Sequence, residues 1–396
     1  MEVINTISEK MSDIFKPQRK FISVLLTTVM LMRGRVDFRN MSRYSSLCEK
    51  TFSRQFRNPF DFARFNMIGT EMSVTPHTLM IAAPDCSFIP KSGRGTYGLA
   101  EFYNSICAEA GKGLEISELA VTDVNYNTAY SVSTWQTPDK LTAEHTCTDW
   151  YVEHSVQDAP CLPASVRYVA ADGYYAGNKS AVGITGTGYH PVSELRHDED
   201  LRYLYTGEQK PEGRPEMYDG KVRFDNTDRF ESVSGTDDNV SLYSAIVNSP
   251  SLKRNIRIVY IVSRQGCKVA TALLFSADIH LPAADICRFY KSRFQIEFLF
   301  RDAKQFAGLS DCQARCEISP DFRFNACMTA LNIMKWESRR IAQSDLNPGC
   351  SVASVKIRNF NGYLLKRFCS MSGIDFSLIK YSDAYQQTLN LGAIAV

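Results

Sequence analysis

Phe289-Tyr290-Lys291-Ser292-Arg293-Phe294-Gln295-Ile296-Glu297-Phe298-Leu299-Phe300-Arg301-Asp302-Ala303-Lys304 is the stretch on which the fold reading turns. Read as an α-helix at about 100° per residue, steps of three, four and seven keep Tyr290, Arg293, Glu297 and Lys304 within an arc of about 60°. Phe300 lies on one side of that arc, and Phe294 and Phe298 on the other. A carboxylate framed by apolar rings and flanked by Arg, Lys and Tyr suits a metal ion and phosphates. Burying it there without a partner is costly.

Two further acids extend the pattern. The run from His77 to Pro84 is apolar and stops at Asp85; Val166 to Ala171 is a second run, stopping at Asp172-Gly173. An apolar run of strand length ended by Asp delivers a carboxylate to the end of a buried strand, where open α/β sheets place their chemistry. For either Asp taken alone, a turn former or helix cap is the favoured reading. Together with Glu297, the pair makes a three-carboxylate set for Mg²⁺, a hard cation that prefers oxygen ligands.

At these residues the chain resembles a known family. Tyr290-x2-Arg293-x3-Glu297-x6-Lys304 is similar to the signature of bacterial insertion-sequence transposases of the DDE class. Asp85-Cys86-Ser87-Phe88-Ile89-Pro90-Lys91-Ser92-Gly93 resembles the family's first catalytic block, and Asp172-Gly173-Tyr174 its second. Gly213-Arg214-Pro215 with Tyr218-Asp219-Gly220-Lys221-Val222 resembles a segment carried between them and the Glu block. The likeness runs from about residue 20 to about residue 340.

The resemblance implies an α/β fold: a ribonuclease-H-like catalytic core, a mixed sheet flanked by helices, interrupted by a β-rich insertion and preceded by an N-terminal helical domain. The expected divisions are 1–75 (DNA-binding helices), 76–194 (first part of the core), 195–280 (insertion), 281–345 (second part, with the Glu helix) and 346–396 (helical tail). It implies Asp85, Asp172 and Glu297 as catalytic and metal-binding residues for two Mg²⁺ or Mn²⁺ ions. Tyr290, Arg293 and Lys304 are the implied DNA contacts, and Lys91 and Arg94 in the Gly-rich loop fit further phosphate contacts. The implied partner is double-stranded DNA, both terminal inverted repeats and target, engaged by a homodimer in the bacterial cytoplasm near the nucleoid.

Composition agrees. A chain of 396 residues, 44% hydrophobic and 22% charged, can bury a sizeable core. The net charge of +2 is unevenly spread: residues 1–66 carry twelve Lys/Arg against six Asp/Glu, so they hold +6 and the remainder −4. A basic N-terminal segment suits a phosphate backbone and equally an ordinary solvated surface. The twelve cysteines form no paired Cys-x2-Cys motif, and Cys312 and Cys316 have no second pair to close a zinc site, so free thiols are expected. The apolar stretch Phe21–Met32 is too short to span a bilayer and reads as a core helix.

Along the chain, helices broken at Gly34 and at Asn58-Pro59 give way to strands from about residue 76. Glu118–Val124 and Thr128–Trp135 read as a hairpin around Asn125-Tyr126-Asn127, and Leu141–Gln157 as a helix leading to the Asp172 strand. The 124 residues between Asp172 and Glu297 are too many for a simple connection. Strand-like runs at Val222–Phe224, Arg257–Val262 and Val269–Phe275 make that segment β-rich. Members of the family that pass through a DNA hairpin use a Trp of the insertion. Here Trp135, Trp150 and Trp336 all fall outside it, so either a Tyr or Phe such as Tyr203, Tyr205 or Phe230 substitutes or the hairpin route differs, and both stay open.

Other motifs are weaker. Gly93-Arg94-Gly95-Thr96-Tyr97-Gly98 fits a dinucleotide fingerprint, with Glu115 and Glu118 near the expected distance, yet the following strands form a hairpin and not a parallel crossover. Gly213-Arg214-Pro215 has Glu212 and Glu216 beside it, which oppose phosphate, and His197-Asp198-Glu199-Asp200 reads as a solvated turn. No Gly-x4-Gly-Lys-Ser/Thr loop for a nucleotide is present. The activity that the family resemblance implies is cut-and-paste DNA transposition, by metal-dependent cleavage at terminal inverted repeats and strand transfer into target DNA. The alternatives are a ribonuclease-H-like nuclease without strand transfer, a transposase-derived DNA-binding protein, and a dehydrogenase.

Overall fold

The computed structural model describes residues 2–75, 78–104, 107–142, 144–233, 239–266, 268–344 and 351–394. His77, the first residue of the Asp85 run, and the 345/346 division lie outside them. Helices α1 (Glu2–Glu9), α2 (Lys16–Leu31), α3 (Phe38–Tyr44), α4 (Glu49–Gln55) and α5 (Phe62–Ser73) open the chain. Strands β1 (Met80–Pro90), β2 (Ala100–Asn104), β3 (Glu109–Asp123) and β4 (Thr128–Gln136) follow, then α6 (Cys147–Asp158), β5 (Tyr168–Ala170), α7 (Asn178–Gly186) and β6 (His190–Leu195). Next come β7 (Arg202–Leu204), β8 (Tyr218–Lys221), β9 (Glu231–Val233), β10 (Val240–Ser249), β11 (Arg254–Gln265) and β12 (Lys268–Ser276). Helices α8 (Ala283–Arg293), α9 (Gln295–Asp302), α10 (Ile318–Ser344), α11 (Val352–Met371), α12 (Phe376–Ile379) and α13 (Asp383–Leu389) complete it.

The expected hairpin forms, with Asn127 in the left-handed region at φ 47° closing the turn between β3 and β4. Thr146 and Asp149 form a reciprocal capping box that starts α6 at Cys147, later than the Leu141 expected from pattern. β1 pairs antiparallel with β3 on one side and parallel with β5 on the other, and β6 lies parallel to β5. The order β4-β3-β1-β5-β6, in a mixed sheet flanked by helices, is consistent with a ribonuclease-H-like core.

Two features depart from the sequence reading. β1 does not stop at Asp85: β3 continues opposite it to Gly113, so the ladder runs on to Pro90 and Asp85 sits inside the strand. Only the parallel partner gives out early, at Ala82↔Val169, just before the donor-less Pro84. Second, Val222–Phe224, expected as a strand, lies just past β8, which ends at Lys221. β12 pairs with β6 over four positions, so β6-β12-β11-β10 carries the core sheet onward.

Packing joins these parts. Ile4, Leu25, Phe52 and Phe65 of the N-terminal helices share one core with Ile116 and Val132 of the sheet and Leu331 of α10. On the other side, Ile286 and Phe289 of α8 pack against Ile81, Ala170, Val192, Val259 and Leu274, bridging the original and added strands. Burying α8 there carries its C-terminal end past β1 and β5.

Candidate active site

The sequence from Ala283 to Ala307 does not form one straight helix. Phe294 (φ −56°, ψ −17°) ends α8 and starts α9, and residues 303–307 form a π turn closed by Gly308 at φ 76°. A Cβ at Gly308 would also meet Val36 at 2.3 Å, so Gly is required twice over. The break at Phe294 places Glu297 in the first turn of α9, where the helix dipole favours an anion, and leaves Arg293 in the last turn of α8, where it favours a cation.

Arg293, with its side chain 11% exposed, reaches two of the three acids. Its Nη1 lies 3.7 Å from Asp85 Oδ2 and its Nη2 3.9 Å from Glu297 Oε1. Arg293 Nε is buried and has no hydrogen-bond acceptor among the described residues. Asp172 lies two residues beyond β5, caps a short 3-10 turn through the Gly173 N–H, and is exposed. Ser193 Oγ donates to the Asp172 carbonyl at 2.9 Å, fixing that turn to β6.

These acids sense one another. Burial pushes the Asp85 carboxyl up to about 6, the Asp172 and Glu297 charges push the same way, and the Cys86 N–H and Arg293 oppose them. Burial also raises Glu297, with Asp172 adding to the rise and Arg293 opposing it. Asp85 and Glu297 thus meet at Arg293, and the charge of Asp172, from a third part of the chain, is felt at both. Among the described residues, no group of three or more His, Cys, Asp or Glu side chains is drawn together closely enough to hold a metal ion as it stands. The cation between Asp85 and Glu297 is the Arg293 guanidinium.

The remaining predicted residues divide. Tyr290 donates its hydroxyl to Glu194 Oε2 at 2.8 Å and lies 5.5 Å from the Arg293 guanidinium, so it steadies Arg293 and does not present a free hydroxyl. Lys304 is turned by the π segment onto β1, donating to Ser87 Oγ and the Phe88 carbonyl at 2.9 Å each. It does not share the Glu297 face expected of an unbroken helix. Lys91 donates to the Ser310 carbonyl and is likewise occupied. Arg94 is exposed, in a Gly-rich loop that leads into β2 and not into a helix, so the dinucleotide geometry is not formed. Tyr203 and Phe230 are buried in the core of the added strands and do not stand free to stack a base, whereas Tyr205 is partly exposed with its hydroxyl donated to the Glu208 carbonyl. Arg196 and Arg202 pair with Asp198 and Asp200 in a solvated turn. Glu194 was missed: in sequence it is one acid among several in a polar run, and only the β5–β6 pairing sets it beside Tyr290.

Residues 141–333, just under half of the chain, match a family model described as the transposase DDE domain. The match supports a DDE-class transposase, and with it a nuclease/transposase activity on DNA. It contains Asp172, Tyr290, Arg293, Glu297 and Lys304, whereas Asp85, Lys91 and Arg94 lie before it. No curated protein matches the chain. No helix among the described residues is long and apolar enough to cross a membrane.

Proposed function

We propose that the protein is an insertion-sequence transposase that cuts DNA at terminal inverted repeats and joins the freed ends to target DNA. The observation that carries this is the approach of Asp85 and Glu297 to one guanidinium, with the charge of Asp172 felt at both. An all-oxygen donor set suits Mg²⁺ or Mn²⁺, with Asp85, Asp172 and Glu297 as the residues that would hold it. When bound, such ions supply charge stabilisation to the attacking and leaving oxygens.

The chain's own side chains do the positioning. The orphaned Arg293 Nε fits a backbone phosphate, and Tyr290 and Glu194 keep the guanidinium in place. Lys304 ties the π turn to β1, so that the helix bearing Glu297 and the strand bearing Asp85 move as one. Water attacks the phosphodiester at the element end, the P–O3′ bond breaks and a 3′-hydroxyl is freed. That hydroxyl then attacks a target phosphodiester, exchanging one P–O bond for another, so no nucleotide need be hydrolysed. Domain roles follow the expected ones, with DNA-end recognition by the basic helices of residues 1–75 and pairing of two protomers at synapsis.

The test is a strand-transfer assay with duplexes carrying the repeats that flank the gene. Joined product supports transposition; cleavage without joining makes the protein a nuclease, and binding without cleavage makes it a DNA-binding derivative.

A further inference from the structure

Away from the carboxylates, a cavity of about 550 Å³ opens between α3–α4, the Gly93–Thr96 loop that follows β1, and the turn at residues 311–315. Arg39, Arg94 and Arg315 line it, and none makes an ion pair or side-chain hydrogen bond with a described residue. A fourth guanidinium is buried in the lining. Arg323, only 5% exposed, donates to the Val36 carbonyl and leaves its Nε without an acceptor.

The lining acids do not balance this charge. Asp37 is spent capping α3 through the Asn40 N–H at 2.8 Å. Asp311 accepts from the Val36 N–H at 2.8 Å and pairs with Arg35 at 3.7 Å. Glu49, exposed at the start of α4, is the uncommitted carboxylate. A buried guanidinium donor without an acceptor is costly, and the planar fork of Arg matches phosphate oxygens. Gly93 keeps the loop side open, since nothing lies within 4 Å of where its Cβ would stand.

We propose that this cavity is a phosphate-binding site, separate from the carboxylates, that holds a backbone phosphate of bound DNA. That DNA is the source of the phosphate rests on the transposase reading. Gly93 is eight residues beyond Asp85, so the two sites are at most about 28 Å apart along the chain, on the order of eight base-pair steps. A strand engaged at the carboxylates can therefore reach the cavity.

The test uses the full chain in EDTA, which keeps cleavage out of the readout. Binding of a random-sequence duplex is followed against salt concentration, and the melting temperature is followed with inorganic pyrophosphate. The proteins are wild type, Arg94→Gln with Arg315→Gln, and Glu49→Gln. The double variant should lower the log–log salt slope by about two and lose the pyrophosphate-induced rise in melting temperature. Glu49→Gln should tighten both, a gain that a folding defect cannot produce. An unchanged slope and pyrophosphate response in the double variant, or weaker binding in Glu49→Gln, overturns the site while leaving the transposase reading intact. Pyrophosphate stabilisation that depends on Arg94 and Arg315, in a wild type that does not bind duplex, keeps the phosphate site and removes DNA as its source.

Discussion

Two sets of carboxylates lie against the same sheet and are treated differently: in one Glu118 and Asp123 are buried, while in the other Asp172 and Glu297 are exposed. Around β3 and β4, each acid has its own partner: Glu118 accepts from Thr134 Oγ1, Asp123 pairs with Arg339 at 2.8 Å, and Asp321 accepts the Gln136 N–H. Beside β1, Asp85 and Glu297 share one cation, Arg293, at 3.7 and 3.9 Å, and Asp172 stands beyond the end of β5 without an ion pair to that cation. Burial alone does not mark a working acid. Glu118 is fully buried and its carboxyl is pushed up to about 8 by that burial, yet it serves the packing. What distinguishes the second set is that Asp85 and Glu297 share a single cation, which is the arrangement the proposed function rests on.

That contrast can be broken by substitution. Asp172→Ala and Glu297→Ala should each lower Mg²⁺-dependent cleavage by at least about 10³-fold while duplex binding and melting temperature hold. A parallel fall in binding would move these acids into the structural set. Asp123→Asn should do the reverse. Leaving Arg339 buried without its partner should cost about 3–5 kcal/mol in urea unfolding, with cleavage per folded molecule unchanged.

The pH dependence sharpens the contrast further. Because the folded Glu118 carboxyl titrates near 8 against an ordinary 4.5, the folded state holds the extra proton between those values. Stability should therefore fall as pH rises from about 4.5 to 8, by a few kcal/mol, and level off above. Glu118→Gln should flatten that fall, and urea midpoints across this range would read it; an equally steep fall in the variant would assign it to another group.

The smallest effects separate Arg293 from Lys304. Arg293→Ala should reduce the salt slope of DNA binding by about one. Lys304→Met should leave the slope unchanged and cost about 1–3 kcal/mol of stability, because its ammonium is spent on Ser87 and Phe88. A lower slope for Lys304→Met would put that ammonium on DNA after all.

Much of this was legible locally. Asn125-Tyr126-Asn127 announced a hairpin because few residues but Asn and Gly tolerate a left-handed turn. The spacing of Arg293 and Glu297 announced a shared helical face, and the i,i+4 pair is present despite the break between them. β10 was missed because Ser241, Ser244, Asn248 and Ser249 interrupt its apolar pattern, although Ser244 and Ser249 are buried between neighbouring strands. The buried Glu115, Glu118 and Asp123 of β3 could not be expected from composition either, since their partners lie on β4, α6 and α10.

Sequence alone determined which side chains are candidates for the chemistry and the local period on which they ride, because helical and strand repeats are set by neighbours a few residues apart. Tertiary structure decided where those side chains point. The break at Phe294, the π turn at 303–307 and the continuation of β1 to Pro90 come from packing and hydrogen bonding against distant segments. They send Lys304 to β1, Tyr290 to Glu194 and Arg293 between two acids, since a few ångströms of backbone shift redirect a long side chain entirely.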